Sequence, residues 1–269
     1  MNTLTSAPIR HSKPGWLTAG DCAGEDRMRL FCFANAGGSV EIFRCWQEFF
    51  GDSLRVCPME LPGRGRRFTE PFFESIEEAA ASAAQAILPF TSHSYALFGH
   101  SLGSLIALET ARVLEKLGAP PACCFFPSGR GAPHFLGGKV PRFHDAEDAD
   151  IVAELKRLGG TPPEILEDPD FLAMVLNILR HDYKILETHT FSTEPKIHAA
   201  VSVCSGSEDP DATEERLRAW ADLTVGPCAV QLFPGGHFYV QQEKQAMARH
   251  LGAFIQMHRH QGTGGAQTA

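Results

Sequence analysis

The segment from Tyr95 to Leu117 places the tightest constraint on the fold of this chain. Its first four residues are apolar and of strand length, and from Leu102 onward apolar residues recur at helical spacing. Between them, residues 99–103 read Gly-His-Ser-Leu-Gly, a G-x-S-x-G sequence with a strand before it and a helix after it. Such a turn lifts a serine hydroxyl out of a sheet, and its glycines let strand and helix approach closely. The pattern predicts that Ser101 is a nucleophile, and the alternative is an ordinary serine in a glycine-rich turn.

Apolar runs of strand length alternate with helical patterns along most of the chain. Further strands are predicted at Arg29–Phe33, Leu54–Leu61, Ala122–Pro127, Ile197–Cys204 and Cys228–Phe233. Ser39 is predicted to cap a helix that has Ile42, Phe43, Trp46 and Phe49 on its apolar face. Further helices are predicted over Glu74–Leu88 and Glu214–Trp220 and in a closing segment to about His258. Pro58 predicts a bulge or an irregular edge in the second strand. This alternation indicates an α/β fold, a mostly parallel sheet with helices on both faces.

Residues from about 133 to 195 contain no strand-like run and show helical segments near 146–158 and 170–187. An all-helical insertion between strands of an α/β sheet is typical of a cap over the strand ends, where ligands bind. We expect one domain over residues 29–260, with no internal repeat. Residues 1–28 and 261–269 are polar or rich in Gly, Thr and Gln, and we expect a partly disordered N-terminal segment and a flexible tail.

The charge balance and the cysteines limit the class of partner and the compartment. The 269 residues carry a net charge of -8, which argues against a nucleic-acid partner and leaves small molecules or proteins. The eight cysteines form no C-x-x-C pair, and several lie in apolar runs, so they are predicted to be buried reduced thiols. A polar N-terminus and the lack of 18 consecutive apolar residues predict a cytoplasmic protein.

One histidine stands out as a base for the serine. A serine hydroxyl needs a neighbouring base to take its proton, and the base needs an acid to orient it. In α/β-hydrolases these residues follow the order serine, acid, histidine. His237 lies in a glycine turn directly after the last predicted strand, whereas His93 and His100 precede Ser101 and fit the order poorly. His237 is therefore the predicted base, the alternative being a surface or core role.

The acid is expected at a strand end between the serine and the histidine. The strand over 197–204 is followed by Glu208 and Asp209, of which Asp209 is the better candidate. The strand over 122–127 is followed by Ser-Gly-Arg, which offers no carboxylate. Asp209 is the predicted acid, and the alternative is a turn-forming Asp-Pro pair.

A second loop supplies candidate backbone donors. The first predicted strand runs into a small, glycine-rich segment at 34–39, where backbone amides can face a ligand without interference from side chains. An oxyanion hole would combine the amide of Leu102, the residue after the nucleophile, with one from Ala34–Gly38. A plain tight turn is the alternative for this loop.

Six motifs, taken in order, resemble those of type II (external editing) thioesterases, which accompany modular polyketide synthases and nonribosomal peptide synthetases. They are FANAGGS at 33–39, LPGR at 61–64, GHSLG at 99–103, SGRGAP at 128–133, HDY at 181–183 and GGH at 235–237. The resemblance covers residues 29–256. Two positions depart from the family: Ala34-Asn35 replaces a common proline, and His181 replaces a small residue.

The resemblance implies an α/β-hydrolase fold with a helical lid over about 133–195. It also implies hydrolysis of stalled or aberrant acyl groups from the phosphopantetheine thiol of acyl or peptidyl carrier protein domains, through an acyl-Ser101 intermediate. By the family pattern Ser101, Asp209 and His237 form the triad, and the Ala36 and Leu102 amides form the oxyanion hole. The implied enzyme needs no metal and no cofactor besides the phosphopantetheine that the partner carries.

Three arginines follow the second predicted strand, at Arg64, Arg66 and Arg67. Such a loop is usually solvated, but it could also meet an anionic partner. Carrier proteins are typically acidic, so these arginines are candidate docking contacts.

Two other functions remain compatible with the motifs. One is a carboxylesterase of the same fold that acts on small oxygen esters, since nothing in the spacing excludes them. The other is a non-catalytic module that binds carrier proteins, although an intact serine, acid and histidine argue against it. A monomer is expected because the sequence shows no coiled-coil seam.

Overall fold

The computed structural model describes residues 15–17, 22, 27–52, 54–135 and 142–259. The strands in these ranges are β1 (Met28–Phe33), β2 (Leu54–Met59), β3 (Tyr95–His100), β4 (Cys124–Ser128), β5 (Ala200–Gly206) and β6 (Cys228–Phe233). They form one sheet in the order β2-β1-β3-β4-β5-β6, and every neighbouring pair is parallel. The predicted α/β fold with a mostly parallel sheet is confirmed.

Helices connect these strands and cover the sheet. The α-helices are α1 (Trp46–Phe50), α2 (Ile76–Ile87), α3 (Leu102–Lys116), α4 (Asp148–Leu158), α5 (Pro163–Glu167), α6 (Pro169–Thr188), α7 (Glu214–Arg218), α8 (Tyr239–Gln242) and α9 (Lys244–His258). Short 3-10 helices occupy Val40–Phe43, Gly65–Arg67, Leu88–Phe90, Pro133–Phe135 and Ala219–Leu223.

The two faces of the sheet are buried in separate layers because successive side chains of a strand point to opposite faces. On β1, Phe31 and Phe33 pack with α2 and α3, whereas Leu30 and Cys32 pack with α1 and α9. Both layers are apolar, which explains why the strands read as continuous apolar runs.

Parallel pairing brings the carboxyl ends of the strands to one edge of the sheet. Phe33 near the end of β1 pairs with Gly99 of β3, and His100 pairs with Ser128 of β4. Gly206 at the end of β5 pairs with Phe233 of β6. The loops that follow β1, β3, β5 and β6 therefore meet, and this is the edge at which α/β folds bind ligands.

Strand β2 contains Pro58 without the predicted bulge. Pro58 pairs in register with Cys32, and the strand ends at Met59, earlier than predicted. Because β2 is the edge strand of the sheet, it has a neighbour on one side alone, and a proline is tolerated there.

The prediction of one helix after Ser39 is wrong. Ser39 caps a 3-10 helix over Val40–Phe43 by accepting a hydrogen bond from the Glu41 amide. Cys45 then adopts a left-handed backbone with φ of 66°, which breaks the run before α1 begins. As a result Phe49, expected on the apolar face, is exposed.

The prediction of buried reduced thiols holds at three of the eight cysteines. Cys22 and Cys57 are joined in a disulfide, and Cys45 is exposed. The remaining five cysteines are free: Cys32, Cys124 and Cys204 are buried, and Cys123 and Cys228 are partly buried.

Trp16 shows that part of the N-terminal segment is packed. Its ring is fully buried, stacks on Phe73 at 5.6 Å between centroids and meets Phe33 edge-on. Its indole Nε1 donates to Ser82 Oγ at 3.0 Å. The rest of residues 1–28 falls mostly outside the described ranges, as does the tail over 261–269, so disorder there stays a prediction.

The helices α4, α5 and α6 lie between β4 and β5 in the chain, and we call them the helical insertion. Helices α4 and α6 share an apolar cluster built from Ile151, Leu155, Leu176, Leu179 and Tyr183. In the ranges that the structure describes, no helix is both long and apolar enough to cross a membrane.

Candidate active site

Ser101 lies at the junction between β3 and α3 in a strained backbone. Its φ is 54°, a left-handed value that few residues other than glycine adopt. Its amide donates to the carbonyl of Ser128 at 2.8 Å, which ties the turn to the next strand. Strain of this kind persists only where the surroundings enforce it, and it concentrates at functional sites.

Both glycines of the G-x-S-x-G turn are required by space. A Cβ added to Gly99 would lie 2.2 Å from the carbonyl oxygen of Gly103, and one added to Gly103 would lie 2.2 Å from that of Phe33. Backbone atoms cannot yield to such contacts as flexible side chains do. The glycines therefore let α3 start directly against the ends of β1 and β3, with Ser101 at the apex.

His237 and Asp209 form a buried pair on the neighbouring loops. His237 Nδ1 lies 2.8 Å from Asp209 Oδ2, and both residues are buried. The two loops are also joined through their backbones, since the Glu208 amide donates to the Gly235 carbonyl at 2.9 Å. A carboxylate at Nδ1 fixes the tautomer that leaves Nε2 free to accept a proton.

The structure separates the stronger candidates from the weaker ones. Asp209 contacts His237, whereas the side chain of Glu208 is exposed. His93 is exposed before the start of β3, at the opposite end from Ser101. The acid and base positions predicted from the sequence are the ones that the fold brings together.

A cavity of about 300 Å³ opens beside Ser101 and His237. Part of its apolar wall comes from the helical insertion, namely Leu155 and Leu158 of α4 and Leu179, Tyr183 and Leu186 of α6. Phe143, which precedes α4, and Phe238, from the loop after β6, also line it. Within the described residues no hydrogen bond joins the Ser101 hydroxyl to His237, so the two share the cavity as separate groups. Such hydrogen bonds are often long without substrate and shorten when it binds.

The loop after β1 also reaches this cavity. We call residues 34–38 the β1 loop, and its Ala36 lines the cavity together with Asn35. The turn is closed by the Gly38 amide, which donates to the Asn35 carbonyl at 3.0 Å. Leu102 begins α3, so its amide belongs to the first turn, where no carbonyl within the helix can accept it. The two backbone segments predicted for the oxyanion hole thus flank Ser101.

His100 has a role that the sequence did not reveal. It is fully buried, with Nδ1 3.0 Å from Ser128 Oγ, which in turn lies 2.7 Å from the Tyr239 hydroxyl. Its ring centroid is 5.1 Å from that of His237. Burial, and then the nearby His237, lower the pKa of His100 well below 6.5. His100 is therefore a neutral group packed beside the candidate base.

Arg130 was also missed by sequence reasoning, although it belongs to the SGRGAP motif. It lines the cavity near Ser101, and its Nε is buried without a hydrogen-bond partner among the described residues. Burial lowers the pKa of its guanidinium to about 10, so it remains a cation at neutral pH. Arg130 is therefore a cationic side chain in the cavity wall, and the spacing of the motifs did not predict it there.

The docking prediction is wrong for two of the three arginines. Arg64 is 4% exposed and pairs with Asp182, and Arg67 is 2% exposed and donates to Glu70 and to the Glu60 carbonyl. Arg66 is exposed, although its Nη2 donates to the Trp16 carbonyl. The sequence shows three cations in four positions, but folding turns two of them inward to satisfy groups of the protein itself.

Among the described residues no cluster of three or more His, Cys, Asp or Glu side chains has the geometry to hold a metal ion. The chemistry available at this edge of the sheet is that of a strained serine hydroxyl, a carboxylate-oriented imidazole and converging backbone amides. This is the arrangement used for nucleophilic acyl transfer.

Comparisons with known proteins agree with this chemistry. A family model described as Thioesterase domain matches residues 28–255. The chain is 34% identical over 241 residues to Thioesterase PikA5 of Streptomyces venezuelae, with 89% of this chain and 85% of that protein covered. It is 35% identical to the structure of the RedJ thioesterase from the prodiginine pathway of Streptomyces coelicolor, with a TM-score of 0.79 and coverage of 85% and 91%.

A further solved structure defines the branch of the family. The type II thioesterase BorB from the borrelidin biosynthetic cluster is 29% identical, with a TM-score of 0.77, over 92% of this chain and all of that one. The chain therefore belongs to the thioesterases, hydrolases of thioesters with an α/β-hydrolase fold, and among them to the type II thioesterases of polyketide and nonribosomal peptide pathways.

Proposed function

We propose that this chain is an editing thioesterase that hydrolyses acyl groups from the phosphopantetheine thiol of carrier protein domains, with Ser101 as nucleophile. The observation that carries the proposal is the placement of the strained Ser101 in one cavity with His237, whose Nδ1 is held 2.8 Å from Asp209. The similar thioesterases RedJ and BorB come from biosynthetic pathways, which supports a substrate borne on a carrier of such a pathway.

In the proposed reaction His237 Nε2 takes the proton of Ser101 as the hydroxyl oxygen attacks the thioester carbonyl carbon. The carbonyl electron pair moves onto oxygen, and the amides of Ala36 and Leu102 donate to it. The tetrahedral adduct then collapses, the carbon–sulfur bond breaks, and the sulfur takes the proton from His237. Water, deprotonated by His237, then attacks the carbonyl carbon of the acyl-Ser101 ester. The bond from that carbon to Ser101 Oγ breaks, Oγ takes the proton from His237, and the free acid leaves.

A thiol leaving group suits this site. A thiol has a pKa near 8.5, so it departs more readily than an alcohol and asks less of His237 as an acid. The cavity of about 300 Å³ lies at the small end of ligand sites, and its wall is mostly apolar. These features favour short acyl groups on a thioester as substrates.

The first experiment measures release of free acid from an acetyl- or propionyl-phosphopantetheinyl carrier protein, by wild type and by Ser101→Ala. We expect release that depends on the serine and is much faster than hydrolysis of the matching small oxygen ester. If the carrier-bound thioester is not hydrolysed while the small ester is, the chain is a carboxylesterase. If it binds carrier protein without turning over either substrate, the proposal of catalysis fails.

Docking of an acidic carrier protein is proposed to use Arg66, the exposed member of the arginine cluster. Arg66→Glu should lower kcat/KM for the carrier-bound thioester and leave kcat/KM for a short pantetheine thioester unchanged. Arg44→Glu is the control, because its side chain is also highly exposed. Equal values of kcat/KM for Arg66→Glu and wild type on carrier-bound substrate would remove Arg66 from the docking surface.

A further inference from the structure

Two of the sequence motifs, LPGR and HDY, contribute no residue to the triad, yet the fold brings them together. Arg64 of the first and Asp182 of the second form a two-pronged ion pair, with Nη1 to Oδ2 at 2.6 Å and Nη2 to Oδ1 at 2.7 Å. Both side chains are 4% exposed. Two parallel charge-assisted hydrogen bonds fix the orientation of the carboxylate as well as its position.

The Asp182 carboxylate accepts a third hydrogen bond, from the β1 loop. The Gly37 amide donates to Asp182 Oδ2 at 2.7 Å. Arg64 contacts the same loop, since its Nη1 donates to the Gly38 carbonyl at 3.1 Å. The Ala36–Gly37 and Gly38–Ser39 peptide groups are thus both held by one buried ion pair.

Helix α6 also restrains this turn through packing. Gly37 has a φ of +72°, and a Cβ there would lie 2.7 Å from Leu179 Cδ2. Leu179 precedes Asp182 by one helical turn, so a single face of α6 both covers Gly37 and accepts its hydrogen bond. The conformation of the turn that aims the Ala36 amide therefore depends on the position of α6.

Helix α6 is itself fixed at this point by the residues after β2. His181 stacks on Phe72 with ring centroids 3.9 Å apart, and Phe72 covers Gly63, where no side chain would fit. His181, the departure from the family pattern, is thus a packing residue outside the cavity wall. The LPGR segment, α6 and the β1 loop form a continuous set of contacts that ends at the oxyanion hole.

We infer that Asp182, oriented by Arg64, is a positioning residue that holds the β1 loop in the geometry in which the Ala36 amide can donate to the oxyanion. The inference rests on the proposed function, because it gives the Ala36 amide its role. It assigns to the LPGR and HDY motifs a task in the reaction itself: pre-organising a backbone donor for the transition state. It also makes competence of the oxyanion hole depend on a residue of the helical insertion.

Steady-state kinetics of Asp182→Asn and Asp182→Ala provide the first test. Loss of one oxyanion donor costs roughly 10²- to 10³-fold in kcat. We expect a loss approaching that range for Asp182→Ala and a smaller one for Asp182→Asn, which keeps an oxygen for Gly37, with KM changed by less than about twofold. Lys184→Met is the matched control. Lys184 lies on the same helix as Asp182, and the variant removes its exposed ion pair to Glu74, which should leave kcat unchanged.

A double variant separates positioning from folding. Removing Asp182 alone leaves a buried, unpaired Arg64, which destabilises a protein strongly, whereas replacing both charges by apolar residues is often tolerated. Arg64→Met combined with Asp182→Leu should therefore recover much of the Tm lost in Asp182→Ala. Because Gly37 still lacks its acceptor, the double variant should not recover kcat.

Two ligands distinguish loss of the oxyanion hole from a damaged cavity. An acyl trifluoromethyl ketone analogue forms a bond from Ser101 Oγ to its carbonyl carbon, with the proton passing to His237 and the electron pair to the oxygen. The matching thioether, which lacks the carbonyl, fills the cavity without forming an oxyanion. Asp182→Asn should weaken the ketone at least about 10-fold and the thioether less than about twofold.

The outcomes are separable from those of the proposed function. If wild type shows no serine-dependent release, the proposed function fails before Asp182 is tested. If wild type is active and the Asp182 variants keep wild-type kcat, or weaken the two ligands equally, the positioning role is refuted and the ion pair is purely structural. Recovery of kcat together with Tm in the double variant would refute it as well.

Discussion

The neutral histidine beneath the candidate base should make the protein sensitive to acid. His100 is fully buried, and its pKa is lowered well below 6.5 by burial and by His237. Well above pH 6.5 the imidazole is neutral in both folded and unfolded states, so it contributes no pH dependence there. As the pH falls through 6.5, the unfolded chain takes up a proton that the folded chain does not bind. The free energy of unfolding therefore decreases as the pH falls through 6.5 towards the folded-state pKa.

The size of this effect follows from the two proton-binding curves. With an unfolded pKa of 6.5 and a folded imidazole that stays neutral, a change from about pH 7 to about pH 5.5 lowers the free energy of unfolding by about 1 kcal/mol. His250, whose pKa is also lowered by burial, adds an effect of the same sign. The contribution of His250 to the pH dependence is common to wild type and to a variant at position 100, so it cancels when the two are compared.

The assay compares urea unfolding of wild type and His100→Gln at the two pH values. The variant should lose stability at both pH values, because it repacks a buried site, but the pH-dependent difference should shrink by about 1 kcal/mol. His93→Gln, at an exposed position, is the control and should keep the wild-type difference. Side-chain NMR of ¹⁵N-histidine protein identifies the His100 signal by its loss in the variant. A His100 signal that titrates with a midpoint near 6.5 would refute the reasoning, as would an unchanged pH dependence in His100→Gln.

Three further variants test the site and its frame. Asp209→Asn should lower kcat for thioester hydrolysis by about 10⁴-fold with a native circular dichroism spectrum, because the His237 tautomer is no longer fixed; a loss below 10-fold would remove Asp209 from the triad. Gly103→Ala should lower the free energy of unfolding by about 3 kcal/mol, measured in urea, because its Cβ would lie 2.2 Å from the Phe33 carbonyl oxygen; wild-type stability would show that α3 can shift. Arg157→Ala should change stability by less than about 1 kcal/mol and speed hydrogen exchange in α4 without affecting α6 near Asp182; equal acceleration in both helices would contradict this.

Local sequence was sufficient to predict the nucleophile turn because its constraints are local. A strand, two glycines and a helix within 23 residues of chain define the geometry of Ser101, and the structure shows that those glycines are required by space. The order of residues along the chain then selected His237 and favoured Asp209. Both follow strand ends that parallel pairing brings to the edge where Ser101 lies.

What the sequence did not predict depends on partners far along the chain. Arg64 looks like a solvated cation because its partner, Asp182, is 118 residues away and belongs to the helical insertion. Cys45 carries no local signal for its left-handed backbone, yet it divides the helix expected after Ser39. His100 precedes Ser101 and fits the order of a triad poorly, and its contact with Ser128 Oγ through Nδ1 depends on a strand 28 residues away. In each case long-range packing, which cannot be inferred from a single sequence, overrides the local pattern.

Two of the ion pairs that join the helical insertion to the rest of the protein are of opposite character. Arg157 of α4 reaches Asp211, next to the acid loop, at 2.6 Å, with the two side chains 42% and 50% exposed. Arg64 and Asp182 are each 4% exposed. An exposed pair contributes up to about 1 kcal/mol, whereas breaking a buried pair costs about 3 to 5 kcal/mol.

That difference decides how the insertion can move. A motion that admits an acyl-phosphopantetheine arm costs least if it separates Arg157 from Asp211 and leaves Arg64 with Asp182. The α4 side of the cavity then opens while α6 stays against the β1 loop, so the oxyanion hole remains formed as substrate enters. A rigid departure of the whole insertion would instead break the buried pair and release Gly37 at the moment when the Ala36 amide is needed. These two ion pairs therefore favour, for the lid expected from the sequence, one free edge at α4 and one edge fixed to the β1 loop.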